Sequence, residues 1–319
     1  MTGLPDVLES CRRVVERAGS LRLDTRGAGA WAAAQEPGSL LPPAGPPELS
    51  IEEPPEPCAN LVLLLDCLNF CFWSDEPWSV EFRGRTWTRT FALYAGVLRA
   101  VESDRTWLTA ERWAGATEAD LAGIFRGRGR IPRLRQRREV LNETGRCLLE
   151  RFGGRFATAV ERAGRRARPL ALLLAGEFPS FADAPTHRGQ TVALLKRAQL
   201  CAADLHHAWT GRGDEGLAGL DELTVFADYR LPQYLRHIGV IRLESTLAAR
   251  IDAGEEIPAG CEQEVELRAA TVVGGDLLRR ALAEVGHAIP AWRLDYVLWE
   301  RSHDPDITIP HHRTRTIYY

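Results

Sequence analysis

Apolar residues recur with a helical period over most of the sequence, and this periodicity is the strongest constraint on its fold. In "TFALYAGVLRAVES" and "RREVLNETGRCLLERFGG" they stand at i, i+3, i+4 and i+7, which places them on one face of an α-helix. The same spacing continues from about residue 91 to about residue 285 and returns in "WRLDYVLWERSHD", residues 292–304. The pattern predicts a mainly α-helical protein.

Local signals predict where several of these helices begin and end. Gly153-Gly154 and Gly254 are typical of residues that follow a helix, and Pro232 suits a first helical position. The segment before Pro232, "LTVFADYR", lacks the helical period and is expected to be a strand or a loop. A short amphipathic helix is expected near the N-terminus.

Three further segments depart from the helical period. Residues 36–57 contain eight prolines and cannot form a regular helix or a central strand, so they predict a linker or a wrapped extended segment. Residues 63–75, "LLLDCLNFCFWSD", begin with an apolar run that fits a buried strand or a short buried helix. Residues 80–91 predict a β-hairpin around Arg-Gly-Arg, as the main β element. We therefore divide the chain into an N-terminal helix with its proline-rich segment, 1–57, and a helical domain, 58–319.

Composition excludes several classes of protein. The 319 residues are 45% hydrophobic and 26% charged, and no apolar run approaches the roughly 20 residues of a membrane span. The N-terminus lacks a secretory signal, so a cytoplasmic protein is expected. Seven cysteines without a CxxC pair argue against disulfides and structural zinc. The net charge of −3 argues against a general nucleic-acid coat, although residues 126–138 hold seven arginines on what is expected to be a solvated surface.

A carboxylate among aromatic residues is the first candidate for chemistry. Asp228 lies between Phe226 and Tyr229, just before a predicted helix. One interpretation is structural: Asp228 caps the helix or pairs with Arg230. The other is functional, because aromatic cover removes water and makes the carboxylate charge effective against a cationic transition state.

Three other segments carry candidate residues. In "LDYVLWE", Tyr296 and Glu300 share a helix face with Asp295 beside them, which fits either a binding site or an amphipathic surface helix. The final segment, "IPHHRTRTIYY", residues 309–319, mixes basic and aromatic residues and is expected to pack against the body. The third group lies in the loop after the apolar run and is expected either to line a pocket wall or to pack in the core: Asn69, Phe72 and Trp73.

Several blocks together resemble the queuosine salvage protein family, the queuosine 5'-phosphate N-glycosylase/hydrolases, from about residue 60 to the end. The resemblance implies a fold like that of helix-hairpin-helix DNA glycosylases. It also implies hydrolysis of queuosine 5'-monophosphate to queuine and ribose 5-phosphate, without metal or other cofactor. The blocks that carry it are "LDCLNFCFWSD", "LNETGRCLLERFGG", "LLKRAQ", "FADYRLPQYLRHIG" and "HHRTRTIYY".

The resemblance assigns roles to individual positions. It implies that Asp228 is the catalytic carboxylate, that Phe226 packs on the base, and that the "LDYVLWE" segment contacts queuine through Asp295, Tyr296 and Glu300. Relatives can have Asp where Glu300 stands, and the longer side chain of glutamate shifts the contact with queuine. A histidine that relatives can place upstream of the first block is absent, with Pro47 near the equivalent place.

The 5'-phosphate of such a substrate requires cationic donors. Lys196, the only lysine among 40 basic residues, and Arg197 are the first candidates, followed by Arg313 and Arg315. The expected partners are the nucleotide and queuine alone, with no stable nucleic acid, no membrane and a monomeric chain. Two alternatives stay open: a glycosylase acting on a base of tRNA or DNA, and a non-catalytic module that binds queuosine or RNA.

Overall fold

The structure is a computed structural model that describes residues 3–42 and 45–319. Met1, Thr2, Pro43 and Ala44, which belong to the predicted N-terminal unit, lie outside the described residues. Within the described ranges, α-helices dominate, as the periodicity predicts. The helices are α1 (Val7–Val15), α2 (Thr25–Ala33), α3 (Pro55–Cys67), α4 (Arg89–Ser103), α5 (Ala110–Ala114), α6 (Glu118–Ile124), α7 (Leu134–Phe152), α8 (Phe156–Arg162), α9 (Ala167–Glu177), α10 (Lys196–Thr210), α11 (Arg230–His237), α12 (Ser245–Asp252), α13 (Glu262–Glu284) and α14 (Ala291–Arg301).

The strands are short and form antiparallel pairs. The predicted hairpin is confirmed as β2 paired with β3, and its turn residues Arg83 and Gly84 both have positive φ, as a tight two-residue hairpin turn requires. The sequence predicted this as the main β element, but two other pairs of two or three residues each are present; strands this short leave no periodic pattern. The strands are β1 (Leu21–Leu23), β2 (Ser79–Phe82), β3 (Arg85–Thr88), β4 (Thr186–His187), β5 (Gln190–Thr191) and β6 (Ile241–Leu243), paired as β1 with β6, β2 with β3 and β4 with β5.

The apolar run of residues 63–75 is helical, not a strand. Helix α3 is buried continuously from Cys58 to Cys67, so its apolar residues cover every face and the helical period disappears from the sequence. The chain then leaves α3 as an irregular buried loop, in which Cys71 adopts φ +46°. Because α3 begins at Pro55, the predicted division at residue 57 falls inside this helix.

Helix α13 is the centre of the second half of the molecule. Its residues from Glu264 to Asp276 are all buried, and helices α1 and α2 pack against it. Strand β1 pairs with β6, residue Leu21 opposite Leu243, so the N-terminal residues are part of the same packed body. The part of the chain that the structure describes contains no helix of the length and apolarity needed to cross a membrane.

Helix ends follow the sequence signals with one exception. Gly153 (φ +61°) directly follows α7, and Gly254 (φ +72°) lies two residues after α12. Pro232 is the third residue of α11, not the first, because Asp228 accepts hydrogen bonds from the amides of Arg230 and Leu231 and the helix therefore begins earlier. The segment "LTVFADYR" follows a 3-10 turn, Leu220–Glu222, and is an irregular loop until α11 begins at Arg230.

The arginine-rich stretch at residues 126–138 has two kinds of arginine. Arg126, Arg128 and Arg130 are exposed, as expected of a solvated surface. Arg137 is fully buried and donates to the carbonyl groups of Leu68, Phe70 and Cys71, so it holds the loop after α3 in place.

Candidate active site

A cavity of about 590 Å³ opens between helices α4, α10 and α14. Residues 223–230 and the loop after α3 form part of its walls, and residues from 45 to 51 of the proline-rich segment line it as well. The cavity brings together side chains that are more than 200 positions apart in the sequence. Those predicted from the sequence that line it are Asn69, Phe72, Lys196, Phe226, Asp228, Asp295, Tyr296 and Glu300.

The loop that carries Phe226 and Asp228 has no regular secondary structure, yet its backbone is held at successive residues. Helices α10, α13 and α14 each supply one side chain to a backbone group of this loop. These are Gln199 Oε1 accepting from the Thr224 amide (3.0 Å), Asp295 Oδ1 from the Phe226 amide (2.6 Å), and Arg268 Nε donating to the Ala227 carbonyl (3.2 Å). Side chains of three separate helices therefore satisfy backbone groups of this loop and fix its position.

Asp228 lies at the wall of the cavity with 7% of its surface exposed. Its Oδ1 accepts hydrogen bonds from the amides of Arg230 (2.7 Å) and Leu231 (2.9 Å) at the start of α11. The expected capping role is therefore confirmed, and Asp228 and Arg230 do not form a salt bridge among the described residues. Burial raises the pKa of Asp228, while the charge of Lys196 and the two amides act against this shift.

Asp295 and Tyr296 extend from α14 into the same cavity. Asp295 is 5% exposed, and burial raises its pKa well above the usual range. The Tyr296 hydroxyl donates to Asp204 Oδ1, and Asp204 Oδ2 also accepts from the Tyr94 hydroxyl at 3.2 Å. Asp204 and Tyr94 were not predicted from the sequence. A signal for Asp204 existed, because Lys196, Leu200 and Asp204 are spaced by four residues and share one face of α10.

Lys196 is the cationic member of a group of buried carboxyl groups. It is 8% exposed and forms no salt bridge within 4.0 Å among the described residues. Burial lowers its pKa, and the charges of Asp228, Asp66 and Asp295 act against this shift. Its place is set by Leu195, whose φ of +51° starts α10, and by a hydrogen bond from the Lys196 amide to Asp183 (3.1 Å).

Aromatic rings supply flat apolar surface on two sides of the cavity. Phe226 and Tyr296 pack edge to face, with centroids 6.4 Å apart and an interplanar angle of 82°. Phe91 and Trp299 form a second such pair at 5.9 Å near the α14 end. Rings in this arrangement can hold a planar heteroaromatic ligand by stacking.

Two of the predicted site residues lie outside this cavity. The indole of Trp73 donates to the Thr314 carbonyl (3.2 Å) and packs under Arg315, so Trp73 anchors residues 309–319 and does not line the pocket. The guanidinium of Arg197 is 1% exposed and donates to the carbonyl groups of Asp66 and Cys67. Buried carbonyl partners leave it no access to a ligand in the cavity.

The segment 309–319 packs against the body, as expected. Its arginines pair with surface acids, Arg313 with Asp75 and Arg315 with Glu256, away from the cavity. Tyr319 is buried, donates to Glu264 Oε1 (2.8 Å) and contributes to the cavity wall.

The described residues contain no group of three or more His, Cys, Asp or Glu side chains arranged to hold a metal ion. The cavity is lined by buried carboxyl groups, aromatic rings, one lysine and several arginines and histidines, in a helical body. Such a lining is suited to a small, planar ligand that carries hydrogen-bond donors.

Sequence comparison identifies the family. The chain belongs to the queuosine salvage protein family, whose pattern matches residues 49–319. A queuosine 5'-phosphate N-glycosylase/hydrolase of Sphaerobacter thermophilus is 43% identical over 314 residues, which cover 98% of this chain and 97% of that protein. Relatives with the same name from Mus musculus and Bos taurus are 36% and 33% identical; the shared region covers 85% of both chains for the first and 100% for the second.

Proposed function

We propose that this protein hydrolyses the N-glycosidic bond of queuosine 5'-monophosphate and releases queuine and ribose 5-phosphate. The observation that carries the proposal is the position of Asp228: a buried carboxylate, held by two backbone amides, borders a cavity with aromatic walls. The names of the relatives support the same reaction. In this reaction the bond between C1' and the base breaks, water supplies a hydroxyl group to C1', and the base leaves with a proton.

Asp228 is the proposed catalytic residue. The ribose passes through an oxocarbenium-like state, and a carboxylate at C1' stabilises that positive charge or attacks it. Only the ionised form can do so. Lys196 and the amides of Arg230 and Leu231 favour the ionised form, against the burial that raises the pKa of Asp228. We therefore propose that Lys196 acts through Asp228.

Asp295, Tyr296 and Glu300 are the proposed contacts to queuine, with Phe226 stacked on the base. Queuine presents an N1–H and an amine along one edge and a cationic aminomethyl arm, so carboxylates are suitable partners. Asp295 Oδ1 already accepts from the Phe226 amide, which orients the carboxyl group. Its raised pKa suits it to share a proton with the leaving base, which lacks the N7 of ordinary purines.

We also propose the finer features of the fold that the family resemblance implies. A helix-hairpin-helix arrangement like that of DNA glycosylases is supported by α11 and α12, which are joined through a turn at Gly239 (φ +74°) and strand β6. Residues 58–319 form the catalytic domain, around which residues 1–57 wrap. We propose further that the enzyme is a monomer, and seven free cysteines support a reducing compartment such as the cytoplasm.

Incubation with queuosine 5'-monophosphate tests the proposal. We expect free queuine and ribose 5-phosphate from the wild-type protein and neither from Asp228→Asn, which keeps the shape of the side chain but not its charge. Cleavage of intact queuosine-containing tRNA without cleavage of the nucleotide would instead indicate a nucleic-acid glycosylase. Tight binding of the nucleotide without any product would indicate a binding module.

A further inference from the structure

Asp183, in the loop before β4, holds the start of α10 in place. Its backbone carbonyl accepts hydrogen bonds from the amides of Leu194 and Leu195, both at 3.0 Å, and its Oδ2 accepts from the Lys196 amide at 3.1 Å. Leu195 has a φ of +51°, a left-handed conformation that a residue with a Cβ atom keeps only where its surroundings impose it. One residue therefore binds three successive amides, and these bonds fix the point from which the Lys196 side chain extends.

Arg268, from α13, joins Asp183 to the loop that carries Asp228. Its Nη1 and Nη2 donate to the two carboxylate oxygens of Asp183 at 2.9 and 2.5 Å, and its Nε donates to the Ala227 carbonyl at 3.2 Å. Ala227 directly precedes Asp228 in the chain. A single guanidinium therefore connects the start of α10 with the backbone of this loop.

Further contacts keep Arg268 in place and charged. The Tyr319 ring lies against the guanidinium, with 4.3 Å between Cζ and the ring centroid. Glu264 Oε1, which accepts from the Tyr319 hydroxyl at 2.8 Å, lies 3.6 Å from Arg268 Nη1. Burial acts to lower the pKa of Arg268, but the carboxylates of Asp183 and Glu264 hold it above its ordinary value. The ion pair is therefore a charged link in the interior of the protein, with both partners 1% exposed.

The two parts that the ion pair joins carry opposite charges that act on each other. Lys196 and Asp228 both line the cavity. Burial raises the pKa of Asp228, and the charge of Lys196 is the largest effect that opposes this rise. The attraction between two charges falls with distance and is strong where the protein excludes water. The separation of the two side chains therefore controls how much of the Asp228 carboxyl group is ionised.

Other charged or titratable groups also face Asp228. Arg230, the first residue of α11, favours its ionised form, whereas Asp295 of α14 repels that form. Burial and the charge of Asp228 raise the pKa of Tyr229, so Tyr229 stays neutral. In the part of the chain that the structure describes, neither Arg230 nor Asp295 shares a hydrogen bond with the buried ion pair. A change in the pair should therefore reach Asp228 through Lys196.

We propose that Arg268 and Asp183 are positioning residues: their ion pair fixes the distance between the Asp228 carboxylate and the Lys196 ammonium group. This inference rests on the proposed function and gives two residues that lie outside the cavity lining a part in keeping Asp228 ionised. Arginine suits this position, because its planar guanidinium binds both carboxylate oxygens and still directs Nε to a third acceptor. An ammonium group cannot reproduce this arrangement.

Substitutions that keep both charges test the link, since a buried charge without its partner would destabilise the whole protein. Arg268→Lys keeps a positive charge beside Asp183 but cannot form all three hydrogen bonds. Asp183→Glu lengthens the link by one methylene group and moves α10 away from the loop. Arg236→Lys is the matched control, because Arg236 forms a bidentate pair with Asp252 and does not line the cavity.

The pH profile of kcat/KM for queuosine 5'-monophosphate separates positioning from mere stabilisation. Arg268→Lys and Asp183→Glu should each lower kcat/KM about 10- to 100-fold, the effect of a displacement of about 1 Å. The acid limb should also move to higher pH, because a more distant Lys196 opposes the raised pKa of Asp228 less. A purely structural role would lower activity at every pH and leave the limb in place. Arg236→Lys should match the wild type in both respects.

Combination with Lys196→Met tests whether the ion pair acts through the lysine. If it does, the acid limb of Arg268→Lys with Lys196→Met should lie where the limb of Lys196→Met alone lies. A further shift in the double variant would show that Arg268 acts on Asp228 by another route, and the inference would be wrong. An unmoved limb in both Arg268→Lys and Asp183→Glu would also overturn it.

A titration without substrate separates this inference from the proposed function. Carbon NMR of protein labelled at the aspartate carboxyl groups reports the pKa of Asp228 even if the wild-type protein releases no queuine. The signal of Asp228 is the one that Asp228→Asn lacks. We expect a higher pKa of Asp228 in Arg268→Lys and Asp183→Glu than in wild type and Arg236→Lys. Equal values in all four proteins would overturn the positioning role and leave the proposed hydrolysis untouched.

Discussion

Gly275, in the interior of α13, packs directly against the loop that carries Asp228. A Cβ atom at this position would lie 2.6 Å from Val225 Cγ2, 2.7 Å from Cγ1 and 3.2 Å from Cβ. Non-bonded carbon atoms do not approach this closely, and the short, branched Val225 side chain is 1% exposed and cannot turn away. Gly275→Ala must therefore displace either α13 or residues 223–230.

Overpacking of this kind costs about 1–3 kcal/mol, and the higher helix propensity of alanine offsets about 0.5–1 kcal/mol of it. Gly29 provides the control, because it lies inside α2 with no atom within 4 Å of its added Cβ. Gly29→Ala should therefore raise the free energy of unfolding, whereas Gly275→Ala should lower it. Displacement of Asp228 by even 1 Å should reduce turnover by up to about 100-fold in Gly275→Ala only.

Urea unfolding followed by circular dichroism, and turnover of queuosine 5'-monophosphate, measure these two effects. A second substitution sharpens the test: Val225→Ala removes the two Cγ atoms that the new Cβ would meet. The loss of unfolding free energy in the double variant should be smaller than the sum of the losses in the two single variants. If Gly275→Ala were as stable and as active as Gly29→Ala, or if the two sites showed no coupling, the proposed packing of α13 on the catalytic loop would be wrong.

Three further outcomes are expected. Asp228→Asn should retain less than about a tenth of wild-type turnover while binding queuine, because the loss of a charge that stabilises the transition state costs several kcal/mol; calorimetry and product assay check both. Lys196→Met removes the positive charge that opposes the raised pKa of Asp228, so the pKa of Asp228 should rise further. The acid limb of the pH profile of kcat/KM should then move to higher pH. An acid limb that stays in place would disprove the electrostatic coupling between Lys196 and Asp228. Asp295→Ala should weaken queuine binding by about 1–3 kcal/mol. Guanosine monophosphate, which lacks the cationic arm, should be a poor substrate of the wild type. Unchanged affinity of Asp295→Ala for queuine, together with rapid cleavage of guanosine monophosphate by the wild type, would show that α14 does not contact the base.

The helical fold could be predicted from the sequence because most helices have one solvent-exposed face and one buried face. Helix α7, for example, ends at Phe152 as Gly153-Gly154 predicted. Helix α3 could not be assigned by the same rule, since residues 58–67 are buried on every side and the apolar run has no period. The β1–β6 pair could not be predicted either, because it joins residues more than 200 positions apart through three residues on each side.

The candidate site was predictable where its residues are adjacent in sequence. Asp228 and Phe226 share one short block, as do Asp295, Tyr296 and Glu300, and all five line the cavity. Asp204 was missed although it shares one face of α10 with Lys196, because its contact with the Tyr296 hydroxyl joins two helices and is visible only in the folded chain.

Arginine shows most clearly why residue type alone does not identify a site. Arg137, Arg197 and Arg268 are all buried, and backbone carbonyls or the carboxylate of Asp183 occupy their donors. A guanidinium with five N–H donors is well suited to tie loops together in this way, and burial keeps such an arginine from a ligand in the cavity. Within the described residues, Arg89 and Arg230 border the cavity and have neither a carboxylate nor a backbone carbonyl as a partner, although Arg230 donates to the side-chain amide oxygen of Gln233. Whether an arginine serves to tie the structure together therefore depends on which acceptors the fold brings to it, and acceptors distant in sequence become visible only in the folded chain.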